Sequence, residues 1–79
     1  MNFGKALELL KQGKKVARKG WNGKMMWLIL LEPDLVGETF ERYPLVPYIA
    51  MKTADDKIVP WLASQTDVLA EDWDWVLVV

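Results

Sequence analysis

The chain has neither cysteine nor histidine among its 79 residues. Without cysteine, neither a disulfide bond nor a thiolate metal site can stabilise the fold. Without histidine, the commonest general base and the commonest metal ligand are both missing, so the serine and threonine hydroxyls have no obvious base to activate them. The sequence therefore favours a protein with no catalytic residues, no metal site and no cofactor.

Long apolar runs are absent as well. The longest ones, MMWLILL and WVLVV, fall far short of the roughly 20 residues that a membrane-spanning helix needs. The N-terminus does not have the charged and then apolar layout of a signal peptide. We expect a soluble, cytoplasmic protein that does not bind membranes.

Tryptophan is abundant for so short a chain. Hydrophobic residues make up 52% of the sequence and include five tryptophans, a residue type that is enriched at interfaces and ligand platforms. We expect one domain, residues 1–79, that buries only about 60–65% of its unfolded surface and is marginally stable alone. Self-association is the remaining way for this chain to bury more surface.

The charges are unevenly distributed along the chain. The net charge is −1, yet residues 1–27 carry seven basic side chains and one acidic, whereas residues 28–79 carry three basic and ten acidic. One interpretation is that the two halves pack together and neutralise each other, within or between chains. The other is an anion-binding site near the basic N-terminal segment. Charge alone favours the first interpretation.

The N-terminal segment NFGKALELLKQGKK predicts an amphipathic helix. Asn2 is placed to cap its start, and Gly13 to end it in the left-handed conformation. The apolar residues follow the i, i+3, i+4, i+7 spacing of one helical face: Phe3, Ala6, Leu7 and Leu10. This face requires a partner, and the predicted strands supply one.

Short strands account for most of the remaining chain. KKVARK and MMWLILLE predict a hairpin around residues 20–23, in which we expect Gly20 and Gly23 to adopt positive φ. Residues 32–44 show no period and predict a long loop. LVPYIAMKT and KIVPWLA predict a second hairpin, with Pro47 and Pro60 at strand ends or edges.

The C-terminal part predicts a short helix and a last strand. SQTDVLAED predicts one or two helical turns capped by Ser64, and WDWVLVV predicts a strand that becomes apolar on both faces, as at a subunit interface. The order of elements predicts an α+β domain. Its mostly antiparallel sheet has about five short strands, the N-terminal helix packs on one face, and a short helical turn precedes the last strand.

Trp21 is the first candidate for ligand binding. It lies in ARKGWNGK, where Arg18, Lys19 and Lys24 surround a glycine-bracketed turn. An exposed indole there can stack on a nucleobase, which contributes about 1–3 kcal/mol, while the cations meet phosphates. Alternatively, Trp21 folds back and closes the core. The sequence leaves these two interpretations equally open.

The polar residues after Trp61 form the second candidate. In WLASQTD, Ser64 and Gln65 carry groups that suit sugar or base edges, although helix capping is the main role expected for Ser64. Four carboxylates follow within eight residues, at Asp67, Glu71, Asp72 and Asp74. A solvated acidic turn explains them best, but they leave open an enzyme that hydrolyses its ligand.

The sequence contains two long stretches in this order: MNFGKALELLKQGKKVARKGWNGK and PYIAMKTADDKIVPWLASQTDVLAEDW. These stretches and their order resemble a small phage-encoded family of Thoeris anti-defence proteins. The resemblance covers nearly the whole chain outside residues 32–44. It implies a sponge, which binds the immune signal glyco-cyclic ADP-ribose without cleaving it and so keeps it from the Thoeris effector. It also implies a homotetramer with ligand pockets between protomers. Some members bind cyclic oligonucleotide signals of other defence systems.

The resemblance also implies contact residues, carried over by matching motif. Trp21 and Asn22 are implied to line the pocket, with Trp21 stacking on the adenine. Contacts to ribose or base edges are implied for Ser64, Gln65 and Asp67. The weaker candidates for the pyrophosphate are Arg18 and Lys19.

Two other classes of protein stay open. A nucleic-acid-binding module would use the basic N-terminal segment and show a steep salt dependence. The acidic C-terminal half argues against it, since that half would repel a long nucleic acid. A structural or protein-interaction module would pack every tryptophan and bind no small ligand.

Overall fold

The computed structural model describes residues 1–33 and 39–77. They form an α+β domain with an N-terminal helix, a five-stranded antiparallel sheet and a short helix before the last strand, which confirms the predicted fold class. The helices with both ends described are α1 (Phe3–Lys11) and α2 (Gln65–Val68). The strands are β1 (Lys15–Arg18), β2 (Trp27–Leu31), β3 (Thr39–Phe40), β4 (Tyr43–Pro44), β5 (Tyr48–Lys52), β6 (Ile58–Pro60) and β7 (Trp73–Val76).

The strands of the main sheet follow the order β6-β5-β2-β1-β7, and all neighbours are antiparallel. The β1–β2 and β5–β6 pairs are the two hairpins predicted from the sequence. β2 pairs with β5 and joins them, while β7 returns to pair with β1. Pro60 lies in the edge strand β6, where a residue without an N–H donor is tolerated. Within the described residues, no helix is long and apolar enough to cross a membrane.

Helix α1 begins and ends as its sequence predicts. The Asn2 side chain accepts a hydrogen bond from the backbone N–H of Lys5, and Gly13 follows the helix with a φ of 83°. Ala6 and Leu10 face the sheet and are fully buried. Their buried partners in the core are Val16, Leu28 and Trp73. The core therefore lies between α1 and the strands β1, β2 and β7.

The turn between β1 and β2 differs from the prediction. It contains a short 3₁₀ helix at Asn22–Lys24. Neither Gly20 nor Gly23 has a positive φ, whereas Met25 has a φ of 58°. The expectation for the two glycines was therefore wrong. A 3₁₀ helix uses right-handed backbone angles, so the left-handed residue comes after it and not at the glycines.

Part of the predicted loop at 32–44 is a hairpin. β3 and β4 pair through Thr39↔Pro44 and Phe40↔Tyr43, and Glu41 between them has a φ of 56°. Two-residue strands are too short to show an alternating period, which is why the sequence predicts only a loop here. Residues 34–38 of the same predicted loop lie outside the described residues.

The C-terminal elements match their prediction within the described residues. The Ser64 side chain accepts a hydrogen bond from the backbone N–H of Asp67 and so caps α2. β7 follows as an edge strand of the sheet. Trp73 in β7 is 1% exposed and belongs to the core, whereas Trp75 is 51% exposed. Residues 78–79, at the end of the predicted strand, lie outside the described residues.

Candidate functional site

Trp21 packs against the aromatic part of the core. Its ring meets Trp73 edge-on with 5.3 Å between centroids, and Trp61 edge-on with 6.4 Å. Trp73 also contacts Trp61 and Phe3. Edge-to-face pairs contribute about 0.5–1.5 kcal/mol each beyond the area that they bury. Trp21 is half-buried, so it closes the core with one part of its ring and keeps another part at the surface.

Arg18, beside the Trp21 turn, binds two carboxylates. Its Nη1 donates to Oδ1 of Asp67 at 2.9 Å, and its Nε donates to Oδ1 of Asp72 at 2.9 Å. We call Asp67, Arg18 and Asp72 the ion triplet. The Arg18 side chain is only 24% exposed, so the pairing is partly shielded from solvent. The ion triplet joins the end of β1 to α2 and to the residue before β7.

The hydrogen bond between Arg18 and Asp72 shifts the pKa of both side chains. The hydrogen bond from Arg18 holds the pKa of Asp72 below its usual value, against the opposing effect of desolvation. The pKa of Arg18 is raised in turn, first by its hydrogen bond to Asp72 and then by the one to Asp67. Arg18 and Asp72 are therefore both charged at neutral pH.

Backbone hydrogen bonds reinforce the same connection. The N–H of Lys19 donates to the carbonyl of Asp72 at 3.1 Å, and the N–H of Trp21 donates to the carbonyl of Arg18 at 2.9 Å. The indole N–H of Trp73 donates to the carbonyl of Asp67 at 2.8 Å. The Trp21 turn is thus tied to α2 and β7 by main chain and side chain together.

Two grooves adjoin the ion triplet. The smaller one has a volume of about 260 Å³ and is lined by Arg18, Gly20, Trp21, Lys24 and Asp72. The larger one has a volume of about 350 Å³ and lies along β1 and β7. Its lining includes Met1, residues 17–19 and residues 72–76. An aromatic ring beside cations suits a ligand that combines a ring system with negative charge.

The structure brings three predicted site residues together. Arg18 and Asp67 form an ion pair, and Trp21 lies in the turn that follows Arg18. Lys19 is exposed and lines the larger groove. Arg18, Lys19 and Trp21 line the grooves. Asp67 lines neither groove and contacts them only through its hydrogen bond from Arg18.

The other predicted site residues are not brought into the grooves. Ser64 and Gln65 are exposed at the start of α2 and line neither groove. The hydroxyl of Ser64 caps the helix, which is its expected main role. Asn22 belongs to the 3₁₀ helix, and its side chain lies outside the described part of the chain.

Two residues beside the grooves were not among the predicted site residues. Asp72 is separated from Arg18 by 54 positions, and its place in an acidic run gives no sign of an arginine partner. Lys24 was grouped with the other basic residues around Trp21 but was not carried into the predicted site. The sequence signal for Lys24 is its spacing of three residues after Trp21. In the structure it ends the 3₁₀ helix and lines the smaller groove.

The acidic run does not form a shared carboxylate site among the described residues. Asp67 and Asp72 meet through Arg18, and Asp74 accepts a hydrogen bond from the N–H of Trp75. Within residues 1–33 and 39–77, no cluster of three or more acidic side chains is placed to hold a metal ion.

Comparison with known proteins connects this geometry to a family. A family model described as the Thoeris anti-defense 2-like domain matches residues 1–76. The chain is also 54% identical to Thoeris anti-defense 2 of Bacillus phage SP01 over 84 aligned positions. That alignment covers 96% of this chain and 94% of the phage protein. The family match, over residues 1–76, includes the Trp21 turn, the ion triplet and the lining of both grooves.

Proposed function

This chain belongs to the Thoeris anti-defense 2-like family, and on that premise we propose that it is a phage anti-defence sponge. It binds glyco-cyclic ADP-ribose in the cytoplasm of an infected bacterium and holds this signal without cleaving it. The Thoeris effector then never receives the signal. The sponge is a single domain, residues 1–79, and it works without catalytic residues, metal or cofactor.

The observation that carries the proposal is the smaller groove beside Trp21. It places the accessible part of an indole next to Lys24 and the ion triplet. A cyclic ADP-ribose derivative contains an adenine, which stacks on aromatic rings, and a pyrophosphate, which binds cations. We therefore propose Trp21 and Asn22 as the contacts around the adenine. Ser64, Gln65 and Asp67 are retained as proposed contacts to ribose or base edges, in a pocket that a second protomer completes.

A second copy of the chain is needed for tight binding. Sequestration of a scarce signal requires a Kd of about 1–100 nM, or roughly −12 to −9.5 kcal/mol. Sites of that affinity enclose most of their ligand, within pockets of about 300–1,000 Å³. The larger groove of one protomer, about 350 Å³, is near the lower limit of that range, and the smaller groove, about 260 Å³, falls below it. We propose a homotetramer in which neighbouring protomers supply the missing walls.

The exposed part of β7 supports this assembly. Trp75 is 51% exposed and lines the larger groove, and Leu77 is 81% exposed just beyond it. Exposed apolar residues on an edge strand favour contact with another chain. Light scattering after size-exclusion chromatography measures the mass of the assembly directly. A monomer at micromolar concentration would contradict the tetramer.

The function is tested by retention of the signal. Purified protein is mixed with glyco-cyclic ADP-ribose, unbound small molecules are filtered away, and the protein is denatured to release what it holds. We expect intact signal in proportion to protein, and none from a heat-denatured control. An altered signal would instead indicate an enzyme. If nothing is retained, the sponge proposal fails for this signal, and cyclic oligonucleotides are the next ligands to test.

A further inference from the structure

We propose that Arg18 positions the binding groove, and that Lys24 makes the cationic contact with the anionic part of the ligand. This division of roles rests on the proposed function, because it concerns the same groove. It departs from what the family resemblance implies, which gave the pyrophosphate to Arg18 and Lys19, and it selects Lys24 among the three cations that surround the Trp21 turn.

Arg18 is already engaged by carboxylates. Nη1 and Nε each lie 2.9 Å from a carboxylate oxygen, on Asp67 and Asp72 respectively, and Nη2 lies 3.5 Å from the second oxygen of Asp72. The ion triplet contains two carboxyl groups and one guanidinium, so Arg18 is flanked by acidic side chains on both sides. A phosphate that approached Arg18 would meet these acidic side chains and compete with two existing partners. Arg18 is therefore a poor phosphate contact.

What Arg18 holds in place is the turn that carries Trp21. The Arg18 carbonyl accepts the Trp21 N–H, and the neighbouring Lys19 N–H donates to the Asp72 carbonyl. The side chain of Arg18 binds the Asp72 carboxylate. Two adjacent residues of the turn are thus fixed to Asp72, one through its side chain and one through its backbone. Loss of the side-chain contact would loosen the wall of the smaller groove.

Lys24 has the placement that Arg18 lacks. It ends the 3₁₀ helix that follows Trp21, and its N–H donates to the Trp21 carbonyl at 2.9 Å. Its side chain lines the smaller groove and is exposed. In the described part of the chain, no carboxylate oxygen lies within the 4.0 Å of an ion pair with it. The backbone hydrogen bond places Lys24 three residues after Trp21, and both residues line the same groove.

The two roles predict opposite responses to one substitution. Asp72→Asn removes a carboxylate charge from Arg18 and weakens the ion triplet. If Arg18 were the phosphate contact, this change would release it, and the ligand would bind more tightly. If Arg18 is a positioning residue, the turn loosens and the ligand binds less tightly. We expect affinity for glyco-cyclic ADP-ribose, measured by calorimetry on the full chain, to fall about tenfold or more.

Lys24→Gln tests the contact itself. A lost charge-assisted hydrogen bond is expected to weaken binding of the same ligand by about tenfold or more and to reduce its salt dependence. Lys11→Gln is the matched control, since Lys11 is also exposed but lies at the end of α1, outside both grooves. Equal affinities for these two variants would overturn the assignment of Lys24.

A ligand-free measurement keeps the positioning role separate from the proposed function. We expect hydrogen exchange at the Lys19 and Trp21 amides to speed up in Asp72→Asn and in Arg18→Lys, while the core amides of α1 stay protected. Unchanged exchange at both amides would overturn the positioning role. If either variant fails to fold, Asp67→Asn perturbs the ion triplet from its other side and is measured in the same way. Failure of the wild type to bind the ligand would refute the proposed function and leave this exchange test standing.

Discussion

Replacing Trp21 with alanine separates its two roles, because the structure gives a magnitude for one of them. The ring makes edge-to-face contacts with Trp73 and Trp61, which contribute about 1–3 kcal/mol together. A fully buried tryptophan costs about 3–5 kcal/mol when it is cut back to alanine. Trp21 is half-buried, so we expect a loss of about 2–3 kcal/mol in the free energy of unfolding.

That loss is easy to measure in a domain of this size. One kcal/mol lowers the midpoint of thermal unfolding by roughly 4–8 °C in a domain of 60–100 residues, so Trp21→Ala is expected to lower it by about 10–20 °C. Denaturant unfolding followed by circular dichroism gives the free energy directly. Tyr43→Ala is the control, since the aromatic ring of Tyr43 is outside the core, the residue is 54% exposed, and the ring lies 4.9 Å from the guanidinium of Arg42. We expect it to cost less than half as much.

Ligand retention then distinguishes the role of the exposed part of the ring. At a temperature where Trp21→Ala is still folded, we expect it to release the signal while the assembly keeps its mass. Trp21→Phe keeps an apolar ring against Trp73 and is expected to restore most of the stability but only part of the binding. A folded Trp21→Ala protein that retains the signal as well as wild type would refute the stacking role. Wild-type stability in that variant would refute the packing argument.

Three further predictions concern stability. Ser64→Ala removes the cap of α2 and is expected to cost about 1 kcal/mol in denaturant unfolding; an unchanged midpoint would mean that tertiary contacts alone hold α2. Gly13→Ala is expected to cost about 1 kcal/mol because Gly13 has a φ of 83°. Gly20→Ala is close to neutral, since its φ is not positive and a Cβ meets no atom within 4 Å; equal losses at both glycines would contradict this. The lowered pKa of Asp72 contributes stability above about pH 4 that is lost as the pH falls through that pKa. As the pH is lowered, the free energy of unfolding of Asp72→Asn should therefore fall less steeply than that of the wild type. Parallel curves of stability against pH would refute the contribution of Asp72.

Local signals in the sequence predicted most of the fold. The spacing of apolar residues, Asn2 and Gly13 defined α1, and Ser64 defined the start of α2, because caps act on the neighbouring turn. The two hairpins were predictable as well, because short connections join strands that are neighbours in the sequence. The sequence did not indicate that β7 pairs with β1, since pairing between distant segments depends on which edge is free after the nearer strands have paired.

The candidate site was less predictable than the fold. The motif around Trp21 indicated an aromatic ring with cations, and the structure does place a groove there. The partner of Arg18 comes from a segment 54 positions away, so no local pattern reveals that its charge is already neutralised. The glycines around Trp21 suggested left-handed backbone where a 3₁₀ helix forms, because glycine permits positive φ without requiring it.

The pairing of β1 with β7 also determines when the smaller groove forms during folding. Helix α1 buries its apolar face against Trp73 in β7. Arg18 binds Asp72, the residue that precedes the same strand. Bringing β7 to β1 closes a long loop of the chain, which costs conformational entropy before any contact compensates for it. We therefore expect the docking of β7 to limit the folding rate. The core and the groove then form in one cooperative step. A chain in which β7 has not docked lacks the Asp72 side of the smaller groove, so we expect protection from proteolysis and binding of the proposed ligand to be gained together.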